Sequence, residues 1–303
     1  QIQDRMKRGI MDKLWNSAWL TLSLAAFMWA SNFVIGRIIP VSIPAVSLSF
    51  WRWALSCLIL FPFVASSLRK EWPFILKSWP IILLLGATGQ AGSNTFAYLG
   101  LHTTGATVAL LIQSATPVAI LLFAFFIYGE KPSHRRIMAI FFAFTGILLV
   151  ILARGSGGAT ATISGLLLLT GAMLLQSLYA TLLRHKPPIH PFVLLFTCFF
   201  AAFLVLLPFQ VTQGVSLPFH DYKALLAIVY LAIGPSIFAF MFFNRGVHLI
   251  GASRAAVFLY LMPVFGSLIA VPFLGERLGW MHLVGFLLVG IGFFLSREHQ
   301  KHY

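Results

Sequence analysis

Ten apolar runs take up nearly all of the chain, each close to the 20 or so residues a helix needs to cross a bilayer core. They fall at residues 18–38, 44–66, 80–100, 103–128 and 134–152, then at 163–183, 190–208, 223–245, 250–273 and 279–296. Helix breakers punctuate them. Pro40 and Pro44 close the first run and open the second, Gly129 and Pro132 bracket the turn after the fourth, and Pro187, Pro188 and Pro191 part the sixth from the seventh. Residues 153–162 (ARGSGGATAT) read as a small-residue linker, and 209–221 as the longest other loop. The pattern predicts an all-α polytopic membrane protein of ten transmembrane helices. The first run follows a basic tail, has the length of a full span and lacks a convincing cleavage site, so it is read as a retained helix and not a signal peptide.

The runs form two sets of five. Gly100, His102, Gly105, Ala106, Pro117, Val118, Gly129 and Glu130 recur as Gly246, His248, Gly251, Ala252, Pro263, Val264, Gly275 and Glu276, always 146 residues later. The same offset carries Phe96 to Phe242, Pro62 to Pro208 and Gly146 to Gly292. A shared taste for Leu and Phe would match apolar positions by chance, but it would not hold glycines, a histidine and a mid-span proline in one register. The chain reads as a tandem duplication. Its parts are a basic tail at 1–16, a first repeat at 17–152, the linker at 153–162, a second repeat at 163–296 and a second tail at 297–303.

Composition and charge refine the picture. The chain is 59% hydrophobic and 9% charged, far below the roughly 25% charged residues usual in soluble domains. A net charge of +14 is not a nucleic-acid footprint here, because the basic residues sit between apolar runs and not on one water-facing surface. With the N-terminus inside, 16 of the 21 Lys and Arg fall in or near cytoplasmic segments, leaving Arg37, Arg154, Lys223 and Arg277 outside and Arg52 within a span. This asymmetry places both termini in the cytoplasm. Five spans per half is an odd number, so the second repeat enters the membrane inverted. Cys57 and Cys198 lie inside apolar runs; two cysteines make neither a disulfide framework nor a metal site.

Five plus five spans, with the Pro117/Gly129/Glu130 and Pro263/Gly275/Glu276 pattern in each half, resemble the EamA-type drug/metabolite transporters over residues 18–296. Within them, the aromatic-rich first span bearing Trp29 and Asn32 looks most like the YddG-type exporters of aromatic amino acids. The resemblance implies a multi-pass transporter of a bacterial inner membrane that moves small molecules outward by alternating access. It implies no cofactor, and a monomer or homodimer; Ala139, Ala143, Gly285 and Gly290 on the fifth and tenth spans would permit close packing of two copies.

Polar residues deep in lipid cost free energy unless they face protein or a wet cavity. Trp29 and Asn32 share a face of the first span, and Gln90, Asn94 and Tyr98 form an i, i+4, i+8 stripe on the third. Gln113, Ser114 and Thr116 precede Pro117; Gln176 and Tyr179 lie in the sixth span, Ser236 after Pro235 in the eighth, and Tyr260 before Pro263 in the ninth. Converging near the midplane, they would form a substrate site; the other reading is hydrogen-bonded glue between helices. Pro117 and Pro263 read as symmetry-related hinges or as static kinks. Arg52, between Trp51 and Trp53, either snorkels outward or meets a substrate carboxylate. Arg254, near the start of the ninth span, snorkels to the cytoplasmic face. Glu130 and Glu276 read as a loop ion pair or cap in preference to proton carriers, and His102 and His248 as turn residues.

Two rival functions are weighed. One is a broad exporter of amphipathic drugs. The other is an intramembrane serine protease built on Gly251-Ala252-Ser253-Arg254 with His282 as base; a match this short is common by chance, and Gly105-Ala106-Thr107 fills the same slot in the first repeat. No acid lies in a span interior, since all seven are Asp4, Asp12, Glu71, Glu130, Asp221, Glu276 and Glu298. This disfavours cationic drugs and ion coupling, and favours a non-enzymatic exporter of neutral, zwitterionic or anionic solutes. The inverted arrangement is directly testable by cysteine labelling. A cysteine at Ser156 is expected to react from outside, and one at Ser67 or Ser133 only after permeabilisation; reaction of all three from one side would end the account.

Overall fold

The structure, a computed structural model, describes residues 15–39, 43–129, 161–213, 221–250, 261–277 and 279–296, with scattered positions between 134 and 149 and Ala255, Phe258 and Leu259. These residues are helical wherever they are regular, apart from one isolated bridge between Thr104 and Ala161. The first half holds α1 (Ala18–Ile38), α2 (Ala45–Lys77) and α3 (Trp79–Leu85), which runs through a π-helical stretch, Gly86–Gly92, into α4 (Ser93–Leu101). It continues with α5 (Ala106–Gln113) and α6 (Thr116–Tyr128). The second half holds α7 (Ile163–Leu182), α8 (Pro191–Gln213) and α9 (Tyr222–Leu231), which runs through a π-helical stretch, Ala232–Phe238, into α10 (Ala239–Ile250). It ends with α11 (Leu261–Leu274) and α12 (Trp280–Ser296).

Among the described residues, six helical stretches are long and apolar enough to cross a membrane: Ala18–Ile38, Ala45–Lys77, Ala106–Tyr128, Ile163–His185, Pro191–Gln213 and Tyr222–Ile250. Leu261–Leu274 is apolar but shorter. Ser17, Thr162 and Asp221 start α1, α7 and α9 by accepting the exposed N–H groups of Leu20, Gly165 and Ala224, as helix N-caps do. The loop expected after residue 66 is instead helix. At 33 residues α2 is about 50 Å long against a hydrocarbon core of about 30 Å, so its last turns, with Arg69, Lys70 and Lys77, project beyond it.

The duplication is visible in three dimensions. The two π-helical stretches lie 146 residues apart, as do Gly129 and Gly275, both left-handed at φ 66° where they end α6 and α11; only glycine takes that conformation freely. The halves interlock by exchange. Helix α1 packs on α10 and α11, while its counterpart α7 packs on α4 and α6. Helices α2 and α8, themselves counterparts, pack on each other. There Trp53 meets Phe199 with ring centroids 4.8 Å apart, and these two are one position in the repeat. A residue touching its own counterpart lies on the pseudo-twofold axis. On the same seam a Cβ at Gly86 would stand 2.6 Å from the Cys198 carbonyl oxygen, so only glycine lets α3 and α8 come this close.

Glu276 ties the halves at one end. Buried just after α11, its carboxylate accepts from the backbone N–H of Ala106 (2.6 Å) and Thr107 (2.9 Å), the first residues of α5. The turn glutamate is therefore a cap, and it caps a helix of the other repeat; its counterpart Glu130 lies outside the described residues. A carboxylate suits the positive end of a helix. Glu276→Ala should cost about 2 kcal/mol by orphaning two buried donors, and Glu276→Gln, which keeps an acceptor, clearly less. Thermal unfolding of the purified protein in detergent checks this; an alanine variant melting with the wild type would show that the cap contributes nothing.

Candidate functional site

The site forms where the helical ladder is broken. A proline at position 235 has no N–H for the Leu231 carbonyl four residues back and its ring collides with it. The chain answers with the π-helical turn, a distortion frequent at functional sites, and Ser236 Oγ donates to the Leu231 oxygen at 2.8 Å. Two further carbonyls of this stretch are claimed from the first half. Ser56 Oγ donates to Ala232 O at 3.2 Å and Trp29 Nε1 to Pro235 O at 3.1 Å. In the matching stretch of the first half, Gly89 O takes Ser93 Oγ (3.0 Å) and Asn94 Nδ2 (3.3 Å).

Arg52 is the centre. It is only 2% exposed, beside Trp53 on the pseudo-twofold axis, with its guanidinium carbon 4.4 Å from the centroid of that ring. It does not snorkel. Nε donates to Ser236 Oγ at 2.8 Å, and Nη1 serves Asn32 Oδ1 (2.8 Å), Asn94 Oδ1 (2.9 Å) and the Tyr98 hydroxyl (2.5 Å). Tyr98 in turn donates to Asn32 Oδ1 at 2.8 Å. One cation thereby joins α1, α2 and α4 of the first half to the π turn of the second. Every protein partner is neutral, and Nη2 donates to none of the described residues.

The expected site residues fall into three groups. Asn32, Asn94, Tyr98 and Ser236 gather on Arg52, and Trp29 adjoins them through Pro235, packed edge-on against Phe240 at 5.2 Å. A second group faces α7: Gln90 lies beside Tyr179, and Gln176 Oε1 accepts from Ser93 Oγ at 3.1 Å. The stripe on the third span is thus divided, with Gln90 turned to one side and Asn94 and Tyr98 to the other. Gln113 stands apart, half-buried at the end of α5, and Tyr260 lies outside the described residues. Sequence reasoning missed Ser56, whose hydroxyl bonds Arg52 O at 2.8 Å, and Ser93. Ser56 was findable, since a residue four after Arg52 shares its helix face.

The proline at 117 does not kink a continuous helix. Helix α5 ends at Gln113 and α6 begins at Thr116, so Pro117 sits in a first turn, where its missing N–H costs nothing. Ser114 Oγ and Thr116 Oγ1 take the freed carbonyls of Leu111 and Gln113, each at 2.6 Å. Pro263 is the third described residue of α11, and the residue before that helix lies outside the described ones. At the turn after α4, Arg37 Nη1 donates to the Leu101 and His102 carbonyls at 2.7 Å each. Burial and the charge of Arg37 together hold the His102 imidazole below its ordinary pKa. Gly251, Ala252, Ser253 and Arg254 lie outside the described residues. His282, the other half of the protease reading, is buried and uses Nδ1 to accept from Gly279 N at 3.2 Å, at the start of its own helix.

Known proteins place this arrangement. The model of the EamA-like transporter family matches residues 16–152 and again 163–297. An uncharacterized transporter of Bacillus subtilis (strain 168), YetK, is 24% identical over 97% of this chain and 90% of its own length. A probable terminal-alkyne amino-acid exporter of Streptantibioticus cattleyicolor is 28% identical over 90% of each chain. One solved crystal structure superposes with a TM-score of 0.62 at 19% identity, covering 92% of this chain and 96% of that one, a likeness of fold. A family model that matches both halves in the register of the duplication leaves one conclusion: the chain belongs to the EamA-like transporter family, and it is a transporter.

Proposed function

We propose that this transporter exports amino acids, aromatic ones among them, or related small metabolites from a bacterial cytoplasm by alternating access, without ion coupling. In this reading ten spans form two inverted five-helix repeats in the inner membrane, with both termini cytoplasmic. The observation that carries it is the polar cluster of Arg52, Asn32, Asn94, Tyr98 and Ser236, which spans the seam between the two halves. A solute held there touches both repeats, so movement of one against the other changes which side reaches it. Trp29, Phe240 and Phe243 supply aromatic surface beside the cluster. That one relative is named a probable amino-acid exporter adds support. The broad drug exporter is disfavoured where its drugs are cations, because the interior charge is itself positive.

The break before Pro117 is the proposed joint, with Pro263 as its counterpart in the second repeat, since a two-residue gap in a helix bends more readily than an intact ladder. Absence of ion coupling rests on the positions of the acids. Glu71 accepts from His190 N at 2.9 Å at the far end of α2, Asp221 caps α9 and Glu276 caps α5.

The test is counterflow in liposomes with a panel of labelled amino acids. The wild type should exchange at least one of them, indifferent to an imposed pH or Na⁺ gradient. Asn94→Ala should lower the rate at least fivefold with melting temperature little changed, and Pro117→Ala should slow turnover while leaving binding in place. Ion-driven accumulation abolished by Glu276→Gln would refute the uncoupled mechanism, and loss of stability in step with transport in Asn94→Ala would reduce the cluster to helix packing.

A further inference from the structure

We infer, on the transport reading above, that the solute is recognised through a carboxylate by Arg52 and that its amino group is dispensable. The class carried is then the small monocarboxylate: amino acids together with the matching 2-oxo and 2-hydroxy acids.

The argument starts from charge. An arginine side chain stays protonated in a protein, and a lone buried cation is costly by several kcal/mol even after relaxation. Among the described residues the cation is shielded by dipoles: two amide oxygens, two hydroxyls and one indole face. No carboxylate among the described residues approaches it, because Glu71, Asp221 and Glu276 are each engaged at helix ends. The remaining acids, Asp4, Asp12, Glu130 and Glu298, fall outside the ten apolar runs. The counter-ion must therefore come from outside the spans, and a carried anion supplies it.

Geometry says how. Of the guanidinium nitrogens, Nε is committed to Ser236 and Nη1 is spread over three acceptors although it has two hydrogens. Nη2 is the uncommitted nitrogen, and Nη1 can release one acceptor. Those two neighbouring nitrogens form the fork that carboxylates bind with two parallel bonds. The indole N–H groups of Trp51 and Trp53, on either side of Arg52 in the chain, are also buried without an acceptor. Donors are in surplus.

The amide and carbonyl acceptors that surround Arg52 are, by contrast, already engaged. Asn32 Oδ1 and Asn94 Oδ1 already receive Arg52, and the carbonyls of Leu231, Ala232 and Pro235 receive Ser236, Ser56 and Trp29. The buried amide oxygen without a donor, Gln90 Oε1, belongs to the group that faces α7 with Tyr179. An ammonium held near Arg52 would also face like-charge repulsion at low dielectric. A carboxylate is drawn in, and a second positive charge is at best tolerated.

The experiment uses two side-chain-matched sets, built on leucine and on phenylalanine: the amino acid, its 2-oxo acid, its 2-hydroxy acid and its decarboxylated amine. Binding to the purified full-length protein is read by tryptophan fluorescence, and counterflow is read in liposomes. In at least one set the oxo and hydroxy acids should bind within threefold of the amino acid or tighter, and the amine at least thirtyfold weaker. Arg52→Gln should abolish binding of all three acids, and Arg52→Lys should weaken it at least tenfold by removing the fork. Binding that requires the amino group, or an amine that binds as well as the acids, overturns the proposal; so does failure of every acid to bind. These outcomes are read on the wild type, so they stand even if Arg52→Gln does not fold. Acids that bind and fail to exchange would overturn the transport reading and leave the carboxylate site in place.

Discussion

A hydrocarbon interior contains no water to satisfy a backbone group that leaves the helical ladder, so each such group must find its partner within the protein. Among the described residues, the places where this chain leaves the ladder include two π-helical stretches, the gap between α5 and α6, the turn after α4, and helix starts. At the stretches, the gap, the turn and the starts of α1, α5, α7 and α9, a side chain answers. Ser236, Ser56, Trp29, Asn94 and Ser93 close the π stretches, Ser114 and Thr116 the gap, Arg37 the turn and Glu276 the start of α5. Several of these bonds run from one half to the other. The requirement that makes the irregular backbone tolerable in lipid therefore also holds the two repeats together.

Against this symmetric scaffold the polar cluster is one-sided. The repeat counterparts of Arg52, Asn32 and Asn94 are Cys198, Leu178 and Phe240. Cys198 is buried in an apolar cluster with Leu85, Tyr179 and Leu194. Trp53 and Phe199 show that this level of α2 and α8 lies on the pseudo-twofold axis. Two arginines at position 52 and its counterpart would face each other there at short range, and no acid is at hand to separate them. One guanidinium is what such a seam accommodates. Duplication builds a symmetric frame, and electrostatics obliges the site to depart from it.

Helix existence and register were legible in the chain because both depend on local quantities. Apolar run length, prolines, glycines and the 146-residue offset are readable without knowing any contact, and they anticipated helical spans, a duplicated plan and the paired turns at Gly129 and Gly275. They also anticipated the family. The extension of α2 past residue 66 was not legible: Arg69, Lys70 and Glu71 look like loop when polarity is the guide, yet charged residues are good helix formers outside lipid. Nor was the break before Pro117, since proline permits either a kinked helix or a fresh start and the packing around it decides.

The site shows the same division more sharply. Sequence alone could name the polar residues within the spans, because a polar side chain in an apolar run is conspicuous. It could not say which of them meet. Gln90, Asn94 and Tyr98 share one helical stripe, yet the π-helical turn at Gly86–Gly92 sends Gln90 toward Tyr179 and the other two toward Arg52. Nor could it say that Arg52 turns inward, since a long flexible side chain between two tryptophans is compatible with either direction. That choice belongs to the tertiary structure, because it is set by acceptors that α1, α4 and the π turn of the second half bring together from up to 184 residues away in the chain.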